Sequence, residues 1–391
     1  MKNRLLLVDY SCHPFSLQLA KSLAKKNIKV FYVFSKNVNL TGSYYKNVKD
    51  QNLKIIPIKT KDFYKYNFFK RRSSEIEFAT NLIEISKKYK INKTILANLP
   101  IDPLYRFIKY CKKNDIKNYF WVQDIYNLAI RNVLKQNKFI YFTFGYFVSN
   151  YYRYLENYCY LNSTKNIVID KNFKNFFPKR NHVYEIRNWV PNNLRRNLIK
   201  KEIVYKRLKI KKKFTFIYTG TLSYKHHFQN ILKLAKENQD SQILIFSNDK
   251  FILTMKKEAK LQNISNIYFF KTISYNMLSS YINIANVGLV NLTLEASNLC
   301  VPSKVLTYYS NNLPVLASMP LSNLASKNIL KFKTGFVSKP SDINKYLINA
   351  KILKKNNSLR VKFSNNCKFY ANNEFDIKKI SKNFINIINT K

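Results

Sequence analysis

The feature that most constrains the fold lies near the middle of the chain, where an apolar strand pattern stops at a glycine and a helical pattern follows. The strand pattern spans 214–218, the glycine is Gly220, one of only 5 in the chain, and the helical pattern spans 228–235. A strand that ends in a glycine turn and opens a helix directs free N–H groups and the positive end of the helix dipole to one place. With the charge of Lys225 added, this unit predicts a phosphate or diphosphate site, although the same pattern is found in any strand–helix turn of an α/β sheet.

Short apolar runs alternate with helical periodicity through the whole chain, which predicts an α/β fold with parallel sheets. The stretch 191–213 is polar and strongly basic, and we interpret it as a linker. We therefore predict an N-terminal domain over 1–190, a C-terminal domain over 214–372 and a last segment, 373–391. The predicted strands are 5–9, 30–34, 55–58, 94–97, 119–122, 167–169 and 184–186 in the first half, and 214–218, 242–246, 267–269, 287–291 and 315–317 in the second.

The net charge of +48, from 69 Lys and Arg against 21 Asp and Glu, raises the question of a nucleic-acid partner. The lysines are spread from end to end in an Asn-, Ile- and Tyr-rich background, which indicates a compositional bias of the source genome. The chain has no signature of an RNA- or DNA-binding module. We therefore expect no nucleic-acid partner and favour attraction to an anionic membrane surface.

The five cysteines are scattered without a C-x-x-C pair, and the four histidines lie at no ligand spacing from them. This pattern supports neither a disulfide framework nor a zinc site. The apolar run after the N-terminus is too short for a signal peptide and is interpreted as a first strand. No run of about 20 apolar residues is present, so we expect a cytoplasmic protein.

An aromatic stretch over 138–153 allows two interpretations. It is apolar on nearly every side, yet Lys138 and Arg153 stand at its ends. It is either a core helix or an interfacial segment that places aromatic side chains in a bilayer surface.

A second helix start is predicted at Pro302 and Ser303, because proline favours the first turn of a helix and serine can cap it. Lys304 follows, and Glu295 closes the strand before this helix. Backbone amides and a lysine suit a phosphate, and a carboxylate suits sugar or ribose hydroxyls. The simpler interpretation is a helix cap at Ser303 and a solvated charge at Lys304.

Two polar groups in the first half are predicted at carboxyl ends of strands. Gln123 and Asp124 follow the strand 119–122, and His13 lies in the first strand–helix turn, before Pro14. Asp124 is placed either to touch a reacting group or to cap the next helix. A histidine before proline is often only structural.

Taken together, six segments resemble the retaining glycosyltransferases of family 4, which have the GT-B architecture. The closest resemblance is to the bacterial branch that builds surface polysaccharides, including fucosaminyltransferase-like and colanic-acid-type enzymes. The segments extend along nearly the whole chain and follow the family's order. They are His13-Pro-Phe-Ser-Leu-Gln-Leu-Ala, Trp121-Val-Gln-Asp124-Ile, Asn188-Trp189-Val-Pro, Tyr218-Thr-Gly220-Thr221-Leu-Ser-Tyr-Lys225-His226, Val301-Pro302-Ser303-Lys304, and 370–377.

The chain departs from the family pattern in two places. Ser223 stands where many members have glycine, which would move the turn away from the diphosphate. The family's paired glutamates near the donor ribose are absent, because Leu299 and Thr307 occupy those positions. The nucleotide contact expected of Glu295 is therefore in question.

The resemblance implies two Rossmann-like domains facing across a cleft, with the last helix crossing back onto the first domain. It implies transfer of a sugar, with retention and without a cofactor or metal, from a UDP- or GDP-linked donor to a lipid-linked or growing glycan acceptor. The implied donor site is Gly220, Thr221, Lys225, Glu295, Pro302, Ser303 and Lys304. Asp124 and His13 are the implied catalytic residues, Asn98 and Gln123 lie on the acceptor side, and Asn188 and Trp189 mark the hinge and cleft floor.

Two alternatives remain open at this point. One is a non-enzymatic GT-B-like protein that binds anionic polymer or membrane through its basic surface. The other is a different GT-B enzyme, such as a sugar epimerase or a phosphorylase, although neither the paired carboxylates of the first nor the longer chain of the second is seen. The expected place of action is the cytoplasmic face of a cell membrane, in bacterial surface polysaccharide biosynthesis.

Overall fold

The computed structural model describes residues 4–61, 67–135, 144–178, 182–191, 198–223, 225–294 and 301–390. Within these ranges the chain forms two compact units. The first unit spans residues 1–188 and 376–391, and the second spans 189–375.

The first unit is built on a parallel sheet of strands rich in Val, Ile, Leu and Phe. The central strands are buried, because helices cover both faces of a parallel sheet, whereas the two edge strands are only partly buried. In space the described strands follow the order β3-β2-β1-β4-β5-β6-β7. They are β1 (Arg4–Asp9), β2 (Lys29–Ser35), β3 (Leu53–Ile58), β4 (Lys93–Ala97), β5 (Lys117–Val122), β6 (Lys165–Val168) and β7 (Val183–Glu185).

α-Helices connect most strands of the first unit, and short 3₁₀ helices lie between β2 and β3 and between β6 and β7. Pro14 occupies the start of the first helix, where the missing N–H costs nothing. The helices are α1 (Pro14–Ala24), α2 (Phe68–Lys88), α3 (Ile101–Lys113), α4 (Tyr126–Lys135) and α5 (Tyr146–Asn162).

The second unit repeats this plan with the spatial order β10-β9-β8-β11-β12-β13 among its described strands. The strands are β8 (Thr215–Thr219), β9 (Gln242–Phe246), β10 (Ile267–Phe270), β11 (Val287–Asn291), β12 (Val315–Ser318) and β13 (Gly335–Ser338). The helices are α6 (Lys201–Leu208), α7 (Gln229–Glu237), α8 (Phe251–Leu261), α9 (Leu278–Ile282), α10 (Ser303–Ser310), α11 (Leu324–Lys331), α12 (Ile343–Lys355) and α13 (Asn357–Glu374).

The last helix, α14 (Ile377–Asn389), belongs to the first unit and packs on α1. Phe384 of α14 meets Trp121 of β5 edge to face, with ring centroids 4.8 Å apart. At the carboxyl end of α14, Lys165 Nζ donates to the carbonyl oxygens of Ile387 and Thr390 at 2.9 and 2.6 Å. A lysine there satisfies helix carbonyls that have no partner within the helix and complements the helix dipole.

Both sheets contain a point at which the strand order reverses. This point lies between β1 and β4 in the first sheet and between β8 and β11 in the second. The loops that leave neighbouring strands in opposite directions open a crevice there, and open α/β sheets bind ligands outside the carboxyl ends of these strands. The topology therefore marks one candidate edge in each unit.

The aromatic stretch over 138–153 combines features of both interpretations. Residues 138–143 lie outside the described part of the chain. In α5, Ser149 and Tyr152 are buried, whereas Phe147 and Tyr151 are exposed. Within the described ranges, no helix combines the length and apolar character needed to cross a membrane.

Candidate functional site

In the second unit, the turn after β8 is centred on Gly220. Its φ of +102° is a conformation that L side chains rarely adopt, and its N–H donates to the carbonyl of Phe246 at 2.9 Å. Gly220 and Thr221 are exposed. Helix α7 begins at Gln229, one residue after the start of the helical pattern predicted over 228–235. Before α7, the N–H of His226 donates to the carbonyl of Ser223 at 2.8 Å, which ties these two residues together at the sheet edge.

This turn is held by His226. Its Nδ1 accepts a hydrogen bond from the backbone N–H of Ser223 at 3.0 Å. Burial and the charges of Lys304 and Lys225 lower the pKa of His226 to about 2. The ring is therefore neutral near pH 7, and because Nδ1 is the acceptor, the proton resides on Nε2. A neutral histidine in this position is a hydrogen-bond donor among cations and not a general base.

The start of α10 supplies further positive character at the same edge. Pro302 precedes the helix and Ser303 is its first residue; the Ser303 side chain is exposed and makes no capping bond, so the interpretation of Ser303 as the helix cap is wrong. Lys304 Nζ is buried and lies 3.4 Å from the centroid of the Tyr218 ring in β8. The Tyr218 hydroxyl in turn donates to the carbonyl of Thr221 at 2.7 Å.

A tyrosine further along α10 fixes this helix against the sheet. The Tyr308 hydroxyl lies 3.2 Å from the Ile217 carbonyl of β8 and 3.3 Å from the Leu289 carbonyl of β11. Its ring occupies the space above Gly288, where an added Cβ would be 2.5 Å away. The glycine and the tyrosine together hold α10, and with it Lys304, at the point where the strand order reverses.

The structure thus brings Gly220, Thr221, Lys225, Pro302, Ser303 and Lys304 to one edge of the second sheet. The backbone also links the two loops, because the N–H of Thr293 donates to the carbonyl of Lys225 at 2.9 Å. Glu295 lies outside the described residues. Two lysines, a neutral histidine donor and a helix start form a site that favours an anion.

A cavity of about 290 Å³ lies at the carboxyl ends of β9 and β10. Sequence analysis did not predict it. Phe246 stacks on Phe270 there with ring centroids 5.0 Å apart, and Tyr281 meets Phe246 edge to face. The lining residues are Leu208, Phe246, Phe270, Lys271, Thr272, Ile273, Ser274, Met277 and Tyr281.

In the first unit, the corresponding edge is built around Asp9, a residue that sequence analysis treated only as the end of a strand. Asp9 is fully buried, and it accepts hydrogen bonds from the backbone N–H of His13 at 2.9 Å and of Ser11 at 3.2 Å. The Ser16 hydroxyl and the Asn98 side-chain amide also donate to it. Burial raises the pKa of Asp9, but the charge and hydrogen bonds of His13 and the bond from Ser16 outweigh burial and lower it.

His13 is oriented by this carboxylate. Its Nδ1 lies 2.9 Å from Asp9 Oδ1, and 27% of its side chain is exposed. Burial opposes protonation, but the charge and hydrogen bond of Asp9 and the charge of Asp124 raise the pKa of His13 above its usual value. With Nδ1 directed at Asp9, Nε2 is the nitrogen left to exchange a proton or bind a hydroxyl. A histidine aligned by a carboxylate is the arrangement of an oriented acid–base group.

Asn98 completes this group from the next strand across the reversal point. It follows β4 directly and adopts a φ of 51°, a left-handed conformation that asparagine tolerates. Its Nδ2 lies 3.3 Å from both Asp9 Oδ1 and His13 Nδ1. Because the ends of β1 and β4 are in register, with Asp9 opposite Ala97, the topology brings these residues together.

The remaining predicted residues of the first unit follow β5. Gln123 is buried, and its Oε1 accepts a hydrogen bond from Asn188 Nδ2 at 2.6 Å. The amides of Tyr126 and Asn127 at the start of α4 are bound by the buried carboxylate of Glu156. Glu156 thus binds two of the amides at the start of the helix that Asp124 was predicted to cap, and the charge of Asp124 acts on His13.

Trp189 is buried and begins the second unit, so the boundary between the units falls between Asn188 and Trp189. Among the described residues, no group of three or more His, Cys, Asp or Glu side chains is arranged to hold a metal ion.

The missed residue Asp9 had a detectable signal. It stands at the carboxyl end of the first strand, four residues before His13. The reasoning that singled out Asp124 at the end of its strand applies equally to Asp9.

Comparison with solved structures identifies the architecture. Sucrose-phosphate synthase from Thermosynechococcus elongatus matches with a TM-score of 0.71 and 12% identity over 98% of each chain. The Anabaena protein HepE in complex with UDP and glucose matches with a TM-score of 0.70 and 11% identity, also over 98% of each chain. The fold is GT-B. This result confirms the predicted fold class, two α/β units with parallel sheets.

A third solved structure of this fold is trehalose-6-phosphate synthase OtsA, with a TM-score of 0.67 and 10% identity over 100% of this chain and 99% of OtsA. No family model matches the chain. Protein Ycf2 of Physcomitrium patens is 29% identical in an alignment 248 residues long, which covers 56% of this chain and 10% of Ycf2. The chain thus spans about a tenth of the length of that relative, and this match says nothing of the GT-B fold.

Proposed function

We propose that the protein is a glycosyltransferase that moves a sugar from a UDP- or GDP-linked donor to a lipid-linked or growing glycan acceptor. On this proposal it acts with retention at the anomeric carbon, as in the bacterial surface-polysaccharide branch of family 4. The two cations Lys225 and Lys304, with the neutral donor His226 near both at the reversal point of a GT-B sheet, carry the proposal.

The second unit would bind the donor. Lys225, Lys304 and the N–H groups of the Gly220 turn and of the start of α10 would hold the diphosphate, and the His226 Nε2–H would donate to it. Similar structures support this choice by their ligands: Anabaena HepE binds UDP-glucose, and the Escherichia coli trehalose-6-phosphate protein binds UDP-2-fluoro glucose. The aromatic wall of Phe246 and Phe270 offers a flat apolar surface to a nucleobase.

In the proposed reaction, the bond between the anomeric carbon and the diphosphate oxygen breaks, and the electron pair leaves with the diphosphate. The acceptor hydroxyl forms the new bond on the same face, and its proton passes to the departing phosphate oxygen. Lys225 and Lys304 stabilise the negative charge on the leaving group, so no metal ion is needed for that role. The carboxylate of Asp124 stabilises positive charge on the sugar, and the Asp9–His13–Asn98 group binds the acceptor hydroxyl.

The site of action would be a membrane surface. The sugar acceptors of this branch are carried on lipids, and a chain with a net charge of +48 is attracted to anionic lipid headgroups. A cytoplasmic protein held at the inner face of the membrane would meet both the nucleotide sugar and the lipid-linked acceptor.

The test is a thermal-shift panel of UDP- and GDP-linked sugars, followed by assays of donor hydrolysis and transfer, with and without EDTA. A donor at 100 times its dissociation constant should stabilise the protein by about 2.7 kcal/mol. We expect stabilisation by one nucleotide class, loss of it in Lys225→Ala, and turnover that survives EDTA.

A protein that only binds anionic polymer would behave differently. Its binding would fall steeply with salt and would be the same in Lys225→Ala. Absence of stabilisation and of turnover with every donor, together with that salt dependence, would replace the proposed enzyme with a binding protein.

A further inference from the structure

Helix α5 carries large aromatic side chains on the side that faces away from the first unit's core. Phe147, Tyr151 and Tyr154 of this helix are 70%, 47% and 61% exposed, and Phe144, two residues before its start, is 76% exposed. The buried residues of the same helix include Tyr152, Leu155, Cys159 and Tyr160, so the helix already has a complete apolar face toward the core. The exposed set therefore needs an explanation other than packing of the fold.

Phe147, Tyr151 and Tyr154 are four and three positions apart in α5. Residues with this spacing lie along one side of a helix, so they form a continuous line. We call this set, Phe147, Tyr151 and Tyr154, the aromatic stripe, and the exposed Phe144 precedes it in the chain. Phenylalanine supplies apolar surface, and tyrosine places a hydroxyl where an apolar phase meets water.

Positive charge borders the aromatic stripe. Tyr158, on the same side of α5, meets Tyr105 of α3 edge to face at 4.8 Å. Lys109 and Lys112 lie four and seven positions after Tyr105, hence on the same side of α3, and both are exposed. Lys112 Nζ also donates to Asn162 Oδ1 at the end of α5, at 2.8 Å.

The exposed charges of the helices around the aromatic stripe all have one sign. Helices α3 and α4 both pack on α5. The carboxylates on these three helices are Asp102 and Glu156, and both are buried. The exposed cations of the three helices are Arg106, Lys109, Lys112, Lys113, Arg131, Lys135 and Arg153.

We propose that the aromatic stripe and the basic side chains of α3–α5 form a docking surface for a bilayer with anionic headgroups. The aromatic side chains enter the boundary between headgroups and acyl chains, and the lysines and arginines bind the phosphates. The positive charge favours an anionic bilayer over a second copy of the chain, because two copies would bring surfaces of the same sign together. The inference deepens the proposed function and rests on it, since it names the surface that would bring the enzyme to a lipid-linked acceptor.

The test is flotation of the full chain with vesicles of neutral lipid alone and of neutral lipid mixed with anionic phosphatidylglycerol. We expect binding to the mixed vesicles only. The double variant Phe147→Ser/Tyr154→Ser should weaken it by about tenfold or more, because two aromatic side chains no longer leave water. Phe369→Ser is the matched control: Phe369 is also exposed, at 65%, but lies on α13 in the second unit. It should bind like the wild type.

A second variant separates charge from apolar contact. Lys109→Glu/Lys112→Glu should weaken binding to the mixed vesicles, and both double variants should melt within a few degrees of the wild type, since all four side chains are exposed.

Three results would overturn the docking surface. The first is equal vesicle binding by the wild type and both double variants. The second is a loss of vesicle binding in Phe369→Ser as large as in Phe147→Ser/Tyr154→Ser. The third is a dimer in solution that the aromatic substitutions dissociate. Donor-induced thermal stabilisation is measured on the same variants without vesicles. Donor-induced stabilisation in every variant, with vesicle binding lost only in the two double variants, supports both proposals. Its absence from the wild type, with vesicle binding intact, refutes the glycosyltransferase and leaves the docking surface standing.

Discussion

Lys304 offers the sharpest test of the donor site, because the substitution Lys304→Met removes its charge and keeps most of its volume. The ammonium is buried, 3.4 Å from the centroid of the Tyr218 ring. A desolvated cation–π contact contributes about 2 kcal/mol. Removing the buried charge also removes a desolvation penalty of several kcal/mol. The methionine sulfur makes a new contact with the ring that contributes about 0.3–1.5 kcal/mol. These terms oppose one another, so the free energy of unfolding should change little.

Binding should respond much more strongly than stability. A charge-assisted hydrogen bond to a phosphate contributes about 1.5–3 kcal/mol, which corresponds to about 10- to 150-fold in the dissociation constant. We therefore expect Lys304→Met to bind UDP or GDP weaker by that factor. The pKa of His226 should rise in the variant, because one of the two lysine charges that lower it is gone.

Each effect has its own measurement. Calorimetry with UDP and GDP gives the nucleotide affinity, urea unfolding gives the free energy of unfolding, and NMR titration gives the pKa of His226. Lys331→Met is the matched control, because Lys331 also lies over an aromatic ring, that of Phe332 at 5.4 Å, but is exposed on α11. Nucleotide affinities unchanged in Lys304→Met, or lowered equally in both variants, would refute a local diphosphate site at the start of α10.

Further predictions concern the other groups of the two sheet edges. Asp9→Asn should lower the pKa of His13, because burial then acts without the opposing carboxylate charge; NMR titration of the imidazole measures it. A histidine whose pKa is raised in the folded protein adds to the free energy of unfolding at pH values below its unfolded pKa. This contribution disappears as the pH rises through the folded pKa. The loss of stability in Asp9→Asn, measured by urea unfolding, should therefore be larger at about pH 6 than at about pH 9, and a loss independent of pH would contradict the pairing. Gly220→Ala should cost about 1–3 kcal/mol from backbone strain alone, since nothing lies within 4 Å of the added Cβ. Gly288→Ala should destabilise the fold for a different reason, because the added Cβ would clash with the Tyr308 ring. A melting temperature equal to that of the wild type would contradict the explanation for that variant.

Much of the fold was predictable from the sequence because the signal is local. A strand buried on both faces must be apolar along its whole length, and the helices between strands must alternate apolar and polar positions. The predicted strand 242–246 coincides with β9, and the helical pattern predicted over 228–235 lies on α7, which starts one residue later. The glycine turn after β8 was predicted for the same reason, because a φ of +102° requires glycine.

The candidate site was only partly predictable, because its decisive contacts join distant parts of the chain. Asn98 Nδ2 reaches Asp9 Oδ1 across 89 positions at 3.3 Å. Glu156 occupies the amides at the start of α4 from a separate helix, which no local pattern reveals. Glu156 binds an amide of the helix that Asp124 was predicted to cap. The cap predicted at Ser303 is wrong for a local reason, because Ser303 is the first residue of α10 and Pro302 precedes it.

By itself, the sequence determined that the chain would form α/β units, where strands would end and which polar residues would follow them. Those properties depend on neighbouring residues and their burial. Only the tertiary structure decided that Asn98 would join Asp9 and His13, that Lys304 would lie over Tyr218, and that His226 would remain neutral. Each of these depends on the order in which strands pair, since pairing of β1 with β4 and of β8 with β11 brings charges within a few ångströms, where the buried surroundings set which of them are ionised.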